Sequence, residues 1–329
     1  MNLFELTKAL IDLPSPTGSE KQVVQFLKEY LEQAGFDVRL QEVSADRSNI
    51  YARFGEPLVV FSTHTDVVPP HFPAREDKDF IYGRGACDAK GIIAAQIKAA
   101  EKLIADGVKN FGLLFVVGEE SGSDGARAAN NLLNRCKYLI NGEPTENKMA
   151  LGSKGALRVK IKTIGKAAHS AYPQQGDSAI IKLLDVLNEV CALSLPRDVV
   201  FGETTCNIGT IFGGIQANVI PDSAQAELMF RLVTPADQIK HKIEEIINGR
   251  AELQYTFECE PVRLQSIDGF ETKVVSFTTD IPLLTNWGKP FLIGPGSILD
   301  AHTSGERIGK KELEQVVILY CKIANQLLT

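Results

Sequence analysis

Residues 111–123 read FGLLFVVGEESGS, an apolar run that ends in two adjacent glutamates, Glu119 and Glu120. The run from Phe111 to Val117 is short and rich in branched and aromatic side chains, which is typical of a buried strand. Two carboxylates at the end of such a strand lose hydration energy unless a positive charge lies beside them. A bound cation would supply that charge, so this stretch predicts a metal site at the end of a buried strand.

More side chains of the types that bind metals lie at strand ends or in loops. They are His64, Asp88, Glu143 and His302. In open parallel sheets ligands bind beyond the carboxyl ends of the strands, so residues far apart in the chain meet at that edge. Histidine and carboxylate ligands without cysteine favour zinc, cobalt or manganese in an open catalytic site. This many carboxylates also allow two ions that share one of them.

Each of these residues also has an ordinary structural interpretation. His64 with Asp66 two residues later fits a capped loop with a salt bridge, although Asp66 equally suits the acceptor that fixes a ligand histidine. Asp88 lies where a helix is predicted to start, and aspartate is a preferred helix cap. Only the set as a whole, all at one predicted sheet edge, indicates a metal centre.

Helices and strands alternate along residues 1–154, a pattern that predicts an α/β domain with a largely parallel sheet. Residues 155–261 instead follow the order strand, helix, strand, strand, helix, strand, which is typical of a ferredoxin-like α+β unit. The α/β pattern returns over residues 262–329. The predicted fold class is therefore α/β, with a mostly parallel-sheet domain interrupted by an inserted α+β, ferredoxin-like domain.

Two local predictions within this pattern can be checked directly. Ser19 is expected to cap a helix over residues 20–34, because serine is a preferred cap and apolar residues follow at helical spacing. A helix is also expected over residues 272–279, before a short strand at 291–293 and a terminal helix at 311–328.

The bulk composition bounds the function. The 329 residues carry a net charge of −6 without a basic run, so a nucleic-acid partner is not expected. Six cysteines without a C-x-x-C pair predict reduced thiols rather than a structural zinc site or a disulfide framework. Neither a signal peptide nor a membrane-spanning apolar run is predicted, and we expect a cytoplasmic protein with no membrane partner.

Several ordered motifs are similar to those of one family of enzymes. They read THTDVVPP (63–70), YGRGACDAKG (82–91), VVGEESGSDGA (116–126), INGEPT (140–145) and PGSILDAH (295–302). Together they resemble the acetylornithine deacetylase and succinyl-diaminopimelate desuccinylase family. That family belongs to the dinuclear zinc metallopeptidases, which also include aminoacylases and glutamate carboxypeptidases. The resemblance covers essentially the whole chain.

The resemblance implies a role for each residue of the predicted centre. The implied ligands are His64 and Glu143 for one ion, Glu120 and His302 for the other, and Asp88 between them. Asp66 would orient His64. Glu119 would be the general base that takes a proton from metal-bound water and passes it to the leaving amine. The two divalent ions are expected to be zinc, with cobalt or manganese as alternatives.

The resemblance also extends to the inserted domain. KAAHSAYP (166–173) matches the family's lid motif, which implies that His169 helps to stabilise the oxyanion, in dimeric relatives across the subunit boundary. Asn218 and Arg231 match positions that contact a substrate carboxylate, and arginine suits a bidentate grip on it. The alternatives are that His169 has only a structural role and that Arg231 is a charge on the solvent-facing side of a strand. A homodimer through the inserted domain is implied.

The sequence is therefore interpreted as an enzyme, a metal-dependent amidohydrolase that removes the N-acyl group from a small-molecule N-acyl amino acid. Acetylornithine deacetylase, an enzyme of arginine biosynthesis, is the leading specific prediction. The alternatives are a succinyl-diaminopimelate desuccinylase, a dipeptidase or carboxypeptidase of the same family, and a non-catalytic metal-binding assembly protein. Gly305 replaces the acidic or amide residue that the family commonly has before Glu306, so selectivity near His302 is expected to differ.

Overall fold

The computed structural model describes residues 1–328, which form two compact units. The first unit contains Met1–Leu151, Leu264–Lys273 and the chain from Thr279 onward, and the second contains Gly152–Arg263 and Val274–Thr278. The predicted boundaries, 1–154 with 262–329 and 155–261, differ from these units at the junctions. In particular, Val274–Thr278 belongs to the second unit.

The elements are numbered in chain order. The α-helices are α1 (Leu3–Ile11), α2 (Lys21–Gln33), α3 (Lys90–Ala105), α4 (Asp124–Ala129), α5 (Ala179–Cys191), α6 (Asp237–Ile247) and α7 (Lys310–Leu328). The strands of the first half are β1 (Asp37–Ser44), β2 (Arg47–Phe54), β3 (Val59–His64), β4 (Arg75–Glu76), β5 (Phe80–Tyr82), β6 (Phe111–Val116), β7 (Tyr138–Asn141), β8 (Met149–Ser153), β9 (Gly155–Ile164) and β10 (Ala168–His169). The remaining strands are β11 (Arg197–Asp198), β12 (Gly202–Glu203), β13 (Thr205–Gly213), β14 (Val219–Ile220), β15 (Ser223–Leu232), β16 (Glu252–Cys259), β17 (Val262–Arg263), β18 (Thr272–Val275), β19 (Lys289–Leu292) and β20 (Arg307–Gly309).

The main sheet of the first unit has the strand order β1-β2-β6-β3-β7-β19. Strand β3 pairs in parallel with β6 on one side and β7 on the other, and β19 pairs in parallel with β7. Strands β1 and β2 extend the sheet in antiparallel pairing. Because β3, β6 and β7 run in the same direction, their carboxyl ends lie side by side at one edge of the sheet.

Both faces of the central strands are covered. Phe61 and Leu113 point into the larger core, in which the ring of Phe61 meets Tyr320 of α7 edge to face at 5.4 Å between centroids. Their neighbours Val60 and Leu114 point into a second core. Every residue of β3 and β6 is buried, which explains why β6 reads as a continuous apolar run rather than as an alternation.

The second unit has the order β13-β15-β9-β16, with all neighbours antiparallel. Side chains of β9 and β15 such as Leu157 and Phe230 form one core with α5 and α6, whereas Arg158 on the other face is exposed. This is the predicted ferredoxin-like arrangement, and the predicted α/β fold with an inserted α+β domain is confirmed.

Two local predictions are wrong. Residues 272–275 form strand β18 next to β8 rather than the start of a helix, because β-branched Val274 and Val275 find a strand partner there. Ser19 does not cap α2. Glu20 occupies the cap position without a capping hydrogen bond, and its carboxylate instead binds Arg47.

The cysteines at positions 87, 136, 191, 206 and 321 carry free thiols. Within residues 1–328, no helix combines the length and the apolar character that a membrane crossing requires.

Candidate metal centre

His64, the last residue of β3, lies at the carboxyl edge of the main sheet and is almost completely buried. Its Nδ1 lies 3.0 Å from the backbone carbonyl oxygen of Asp66 and 3.5 Å from that residue's Oδ1. A proton on Nδ1 would be donated to this carbonyl, which leaves the lone pair of Nε2 free for a cation. The carbonyl of Asp66, rather than its carboxylate, is thus the nearer partner of the ring.

The carboxylate of Asp66 instead holds the loop that carries the two glutamates. Its Oδ1 accepts a hydrogen bond from the amide of Glu119 at 3.0 Å, and its Oδ2 accepts one from the amide of Glu120 at 3.1 Å. The hydroxyl of Thr17 donates a third at 2.7 Å. Burial opposes ionisation of Asp66, but the hydrogen bonds from His64, Thr17 and the amide of Glu120 outweigh it and lower the pKa of the carboxyl.

Asp88 lies between the two histidines. Its Oδ1 is 3.0 Å from Nε2 of His64, and its Oδ2 is 3.3 Å from Nε2 of His302. Helix α3 begins only at Lys90, and its cap position is Ala89, so Asp88 is not the helix cap. One carboxylate with an oxygen towards each imidazole has the geometry of a group shared by two cations.

Two groups of possible ligands meet at Asp88. One consists of His64, Asp88 and Glu143, and the other of Asp88, Glu120 and His302; in each, the ligand atoms lie within 4.8 Å of one another. Nε2 of His302 is 3.0 Å from Oε1 of Glu120. Because zinc binds nitrogen and oxygen ligands at roughly 2.0–2.2 Å in a tetrahedral arrangement, two ligand atoms around one ion lie about 3.5 Å apart.

Glu143 follows β7 by two residues and is buried, and no group in residues 1–328 donates a hydrogen bond to its carboxylate. His302 has a backbone φ of 62°, in the left-handed region that residues other than glycine rarely adopt. Such backbone strain persists where the surrounding structure imposes it, and it concentrates at functional sites.

Glu119 and Glu120 do not lie on the strand. Strand β6 ends at Val116, and Glu119–Ser121 form one turn of 3₁₀-helix. This 3₁₀ turn beyond the strand end, rather than the alternation of side chains along a strand, separates the two carboxylates. Within the described residues, no protein group donates a hydrogen bond to the Glu119 carboxylate.

The pKa values indicate an excess of buried negative charge. Burial raises the pKa of both Glu119 and Glu143 well above the ordinary range, and neighbouring carboxylates raise it further. Hydrogen bonds to Asp88 and Glu120 raise the pKa of His302 to about 10. The carboxylates at this edge outnumber the two imidazoles, so not all of them can ionise next to one another. Divalent cations would balance that charge, and the residues present therefore fit them.

The predicted substrate contacts lie in the second unit. His169 of β10 is exposed, and Ser170 donates its amide to the carbonyl of Asn218, so these two segments are adjacent. Arg231 lies on β15, opposite Ala156 of β9, and is half-buried. Burial, and also the nearby charge of Arg158, lower the pKa of Arg231. The structure thus places His169 beside Asn218, and Arg231 on the central pair of the sheet.

Comparison with known proteins supplies the family. The pattern described as the peptidase dimerisation domain of M20 enzymes matches residues 151–254. A Peptidase M20 domain-containing protein of Schizosaccharomyces pombe is 40% identical over 325 residues, which cover 95% of this chain and 81% of that protein. This chain belongs to the M20 peptidase family. A probable carboxypeptidase of Aspergillus clavatus is 34% identical over 357 residues, covering 96% of this chain and 86% of that protein.

Solved structures agree with the M20 fold over the whole chain. A tripeptidase of Staphylococcus aureus superposes with a TM-score of 0.84 at 20% identity, covering 99% of this chain and 98% of that one. A Bacillus subtilis dinuclear metal-binding peptidase of the M20 family has a TM-score of 0.71 at 16% identity, covering 99% and 97%. The protein is thus a hydrolase of the metallopeptidase class with an inserted dimerisation domain, and a non-catalytic assembly protein is not supported.

Several residues that shape the centre of this M20 peptidase were not predicted from sequence. Arg47 binds Glu20 through two hydrogen bonds and also binds Asp124, just beyond the glutamate loop. The neighbouring Gly118 has a φ of +80°, and a Cβ there would lie 2.1 Å from the Asp124 carboxylate. The glycine therefore admits this ion pair. Glu20 lies four residues after Pro16, and this spacing gave no pattern from which these contacts could be read.

Asp280 is a second residue that sequence reasoning missed. It is buried, and its Oδ1 has no hydrogen-bond partner. Burial raises its pKa to about 6, and its charge contributes to the raised pKa of both Glu119 and Glu143. The segment FTTDIPLL carries no spacing that points to the centre, so only the folded chain reveals it.

We predict that Asp66→Asn weakens divalent-ion binding by roughly 10–100-fold. The asparagine amide has only one acceptor oxygen, whereas the two oxygens of the aspartate carboxylate accept hydrogen bonds from two backbone amides and from Thr17. Titration of chelator-treated protein with Zn²⁺ measures this. Asp77→Asn is the matched control, since Asp77 also accepts from two backbone amides and a hydroxyl, in an exposed loop. Equal affinity of both variants would contradict the role assigned to Asp66.

Proposed function

We propose that this M20 peptidase is a metal-dependent carboxypeptidase or dipeptidase that hydrolyses short peptides with a free carboxyl terminus. The observation that carries the proposal is the meeting of two ligand groups at Asp88, beside the partly buried Glu119. The relative named as a probable carboxypeptidase favours this alternative over acetylornithine deacetylase, which no relative described above supports. A cytoplasmic location stays a prediction.

The proposed cofactors are two divalent ions, with zinc as the first candidate and cobalt or manganese as alternatives. His64 and Glu143 would hold one ion, Glu120 and His302 the other, and Asp88 both, as the two groups suggest. Such ions polarise a scissile carbonyl and make a water molecule more acidic. Asp66 orients the centre in two ways: its backbone carbonyl fixes the ring of His64, and its carboxylate fixes the glutamate loop.

Glu119 is the proposed general base. Its backbone is held by Asp66, whereas its carboxylate accepts no hydrogen bond from residues 1–328 and is free to take a proton from water. The same carboxyl group would then donate that proton to the nitrogen of the departing amine, so the residue returns to its starting state. Burial raises the pKa of Glu119, which strengthens it as a base for this transfer.

The second unit would contact the substrate. His169 is the proposed donor to the oxygen of the tetrahedral intermediate, and Asn218 and Arg231 are the proposed contacts of the substrate carboxylate. The guanidinium of Arg231 is half-buried and has no carboxylate partner within residues 1–328, so a substrate carboxylate would satisfy it through two parallel hydrogen bonds. A free carboxyl terminus of a peptide meets this requirement.

We further propose a homodimer through the second unit. The dimerisation domain occupies this part of the chain, and strand β13 lies at the open edge of its sheet. Ile211 and Phe212 on that strand are 51% and 61% exposed. Long exposed apolar edge strands are avoided in monomers because they pair with other chains, so a second copy is the expected cover.

The metal-loaded protein is expected to hydrolyse unmodified dipeptides with a kcat/KM at least about tenfold above that for N-acetylornithine and N-succinyl-diaminopimelate. Amidating the carboxyl terminus of the best dipeptide should abolish most of this rate, because Arg231 then loses its charged partner. The measurement is amine release across this panel. N-acetylornithine as the fastest substrate would restore the deacetylase assignment and reject the peptidase proposal.

Glu119→Gln should retain both bound ions and lose roughly 10²–10⁴-fold in kcat, since the amide keeps the size of the side chain but cannot accept a proton. Metal content by elemental analysis and steady-state kinetics are measured on the same sample. Full activity of this variant would remove Glu119 as the base, and loss of metal would show that it is a ligand instead.

In analytical ultracentrifugation the wild-type protein should sediment as a dimer, with twice the chain mass of 35.9 kDa. Replacing Ile211 and Phe212 together by lysine should give a monomer at low micromolar concentration, because two buried charges would oppose association. Leu133→Lys is the control, since Leu133 is fully exposed in the first unit, and it should remain dimeric. A monomeric wild type would reject the dimer.

A further inference from the structure

A buried ion pair lies beside the metal centre without belonging to either ligand group. Nη1 of Arg84 donates to Oε2 of Glu306 at 2.6 Å, and both side chains are at most 3% exposed. The two residues are 222 positions apart in the chain. Arg84 lies in the loop before Asp88, and Glu306 lies in the loop after His302, so the pair connects two segments that carry predicted ligands.

Arg84 also binds the loop that follows His64 and Asp66. Its Nε donates to the carbonyl of Pro70 at 3.2 Å, and its backbone amide donates to the carbonyl of Phe72 at 3.2 Å. Its guanidinium carbon lies 4.9 Å from the centroid of the Phe72 ring. The planar guanidinium therefore has partners on several sides, which fixes its position.

Glu306 uses its second carboxylate oxygen on the backbone of the Asp88 segment. Its Oε1 accepts hydrogen bonds from the amides of both Cys87 and Asp88, each at 3.3 Å. Its backbone carbonyl accepts a further bond from the amide of Gly83 at 3.1 Å. Both oxygens of this buried carboxylate are thus occupied, one by the arginine and one by the two amides.

Stability alone does not explain this arrangement. A buried ion pair contributes little net stability compared with apolar side chains of similar size, because both charges lose their hydration. The hydrogen bonds to the amides of Cys87 and Asp88, in contrast, have a local effect. They fix the position of the backbone that carries the Asp88 carboxylate. That carboxylate must face His64 with one oxygen and His302 with the other, which leaves little freedom in its backbone.

We propose that Glu306, held in place by Arg84, is a positioning residue that fixes the backbone of Asp88 so that its carboxylate can serve both metal positions. The inference rests on the proposed two-metal function. Glu306 touches neither the ions nor the substrate, and it acts through Asp88. The requirement falls on the oxygen of Glu306 that faces the two amides, and an uncharged hydrogen bond between the side chains at positions 84 and 306 suffices to hold that oxygen in place.

Two double variants separate the amide contact from the charge pair. Arg84→Gln with Glu306→Gln removes both charges and keeps an acceptor for the two amides; Arg84→Gln with Glu306→Met also removes both charges but loses the acceptor. Chelator-treated protein is titrated with Co²⁺, and the visible absorption of the bound ion reports affinity, stoichiometry and geometry. The glutamine pair should bind within about threefold of the wild type, and the methionine variant at least about tenfold more weakly, with an altered spectrum.

Leu27→Ala is the control for lost stability, because Leu27 is fully buried in α2 and a cavity there should leave the Co²⁺ spectrum unchanged. If the methionine variant does not fold, Glu306→Asp replaces it. Aspartate keeps the charge for Arg84 but is one methylene short of the amides, so the same loss is expected.

Equal Co²⁺ affinity and spectra in the folded double variants, or in Glu306→Asp and the wild type, would overturn the positioning role. A wild-type protein that binds no Co²⁺ would instead reject the two-metal proposal itself, so the two failures are distinguishable.

Discussion

Parallel pairing of β3 with both of its neighbours is the constraint on which the candidate centre depends. It brings the carboxyl ends of β3, β6 and β7 together, so that His64, the glutamate loop and Glu143 lie at one edge of the sheet. The cost is the burial of several carboxylates in a small volume, which raises the pKa of Glu119 and Glu143. Carboxylates buried this close together repel one another when no cation is present. The same arrangement suits divalent cations, because these ions bind several carboxylate oxygens and imidazole nitrogens.

Hydrogen bonds to the backbone hold this edge together. The carboxylate of Asp66 holds the amides of the glutamate loop, and the carboxylate of Glu306 holds those of the Asp88 segment. Each is a buried acid that binds main-chain N–H groups and leaves the neighbouring carboxylate free for a ligand role. The chemistry of the centre therefore depends on a surrounding set of acids that bind no ion themselves. Rotation of the glutamate loop would displace Glu120 from its ligand group, and rotation of the Asp88 segment would displace Asp88 from both.

Some of this could be read from local pattern. The apolar run of β6 indicates a buried strand, and the strand-helix order of the second unit follows from its periodicity. Local pattern failed where long-range partners decide the outcome. Residues 272–275 became a strand because β8 was available, and the separation of Glu119 from Glu120 came from a 3₁₀ turn rather than from strand alternation. Arg47 and Asp280 carry no spacing signal, since the carboxylates that they bind or influence are distant in the chain.

By itself, the sequence determined which side chains could bind metal, that they follow buried strands, and that a ferredoxin-like domain interrupts an α/β domain. These properties are local, because they depend on residue type and on periods of two or 3.6 residues. Only the tertiary structure decided that Asp88 faces both His64 and His302, and that Arg84 and Glu306 meet beneath it. Such contacts join residues up to 222 positions apart. Their geometry depends on how strands pair and loops pack, and no short-range pattern encodes it.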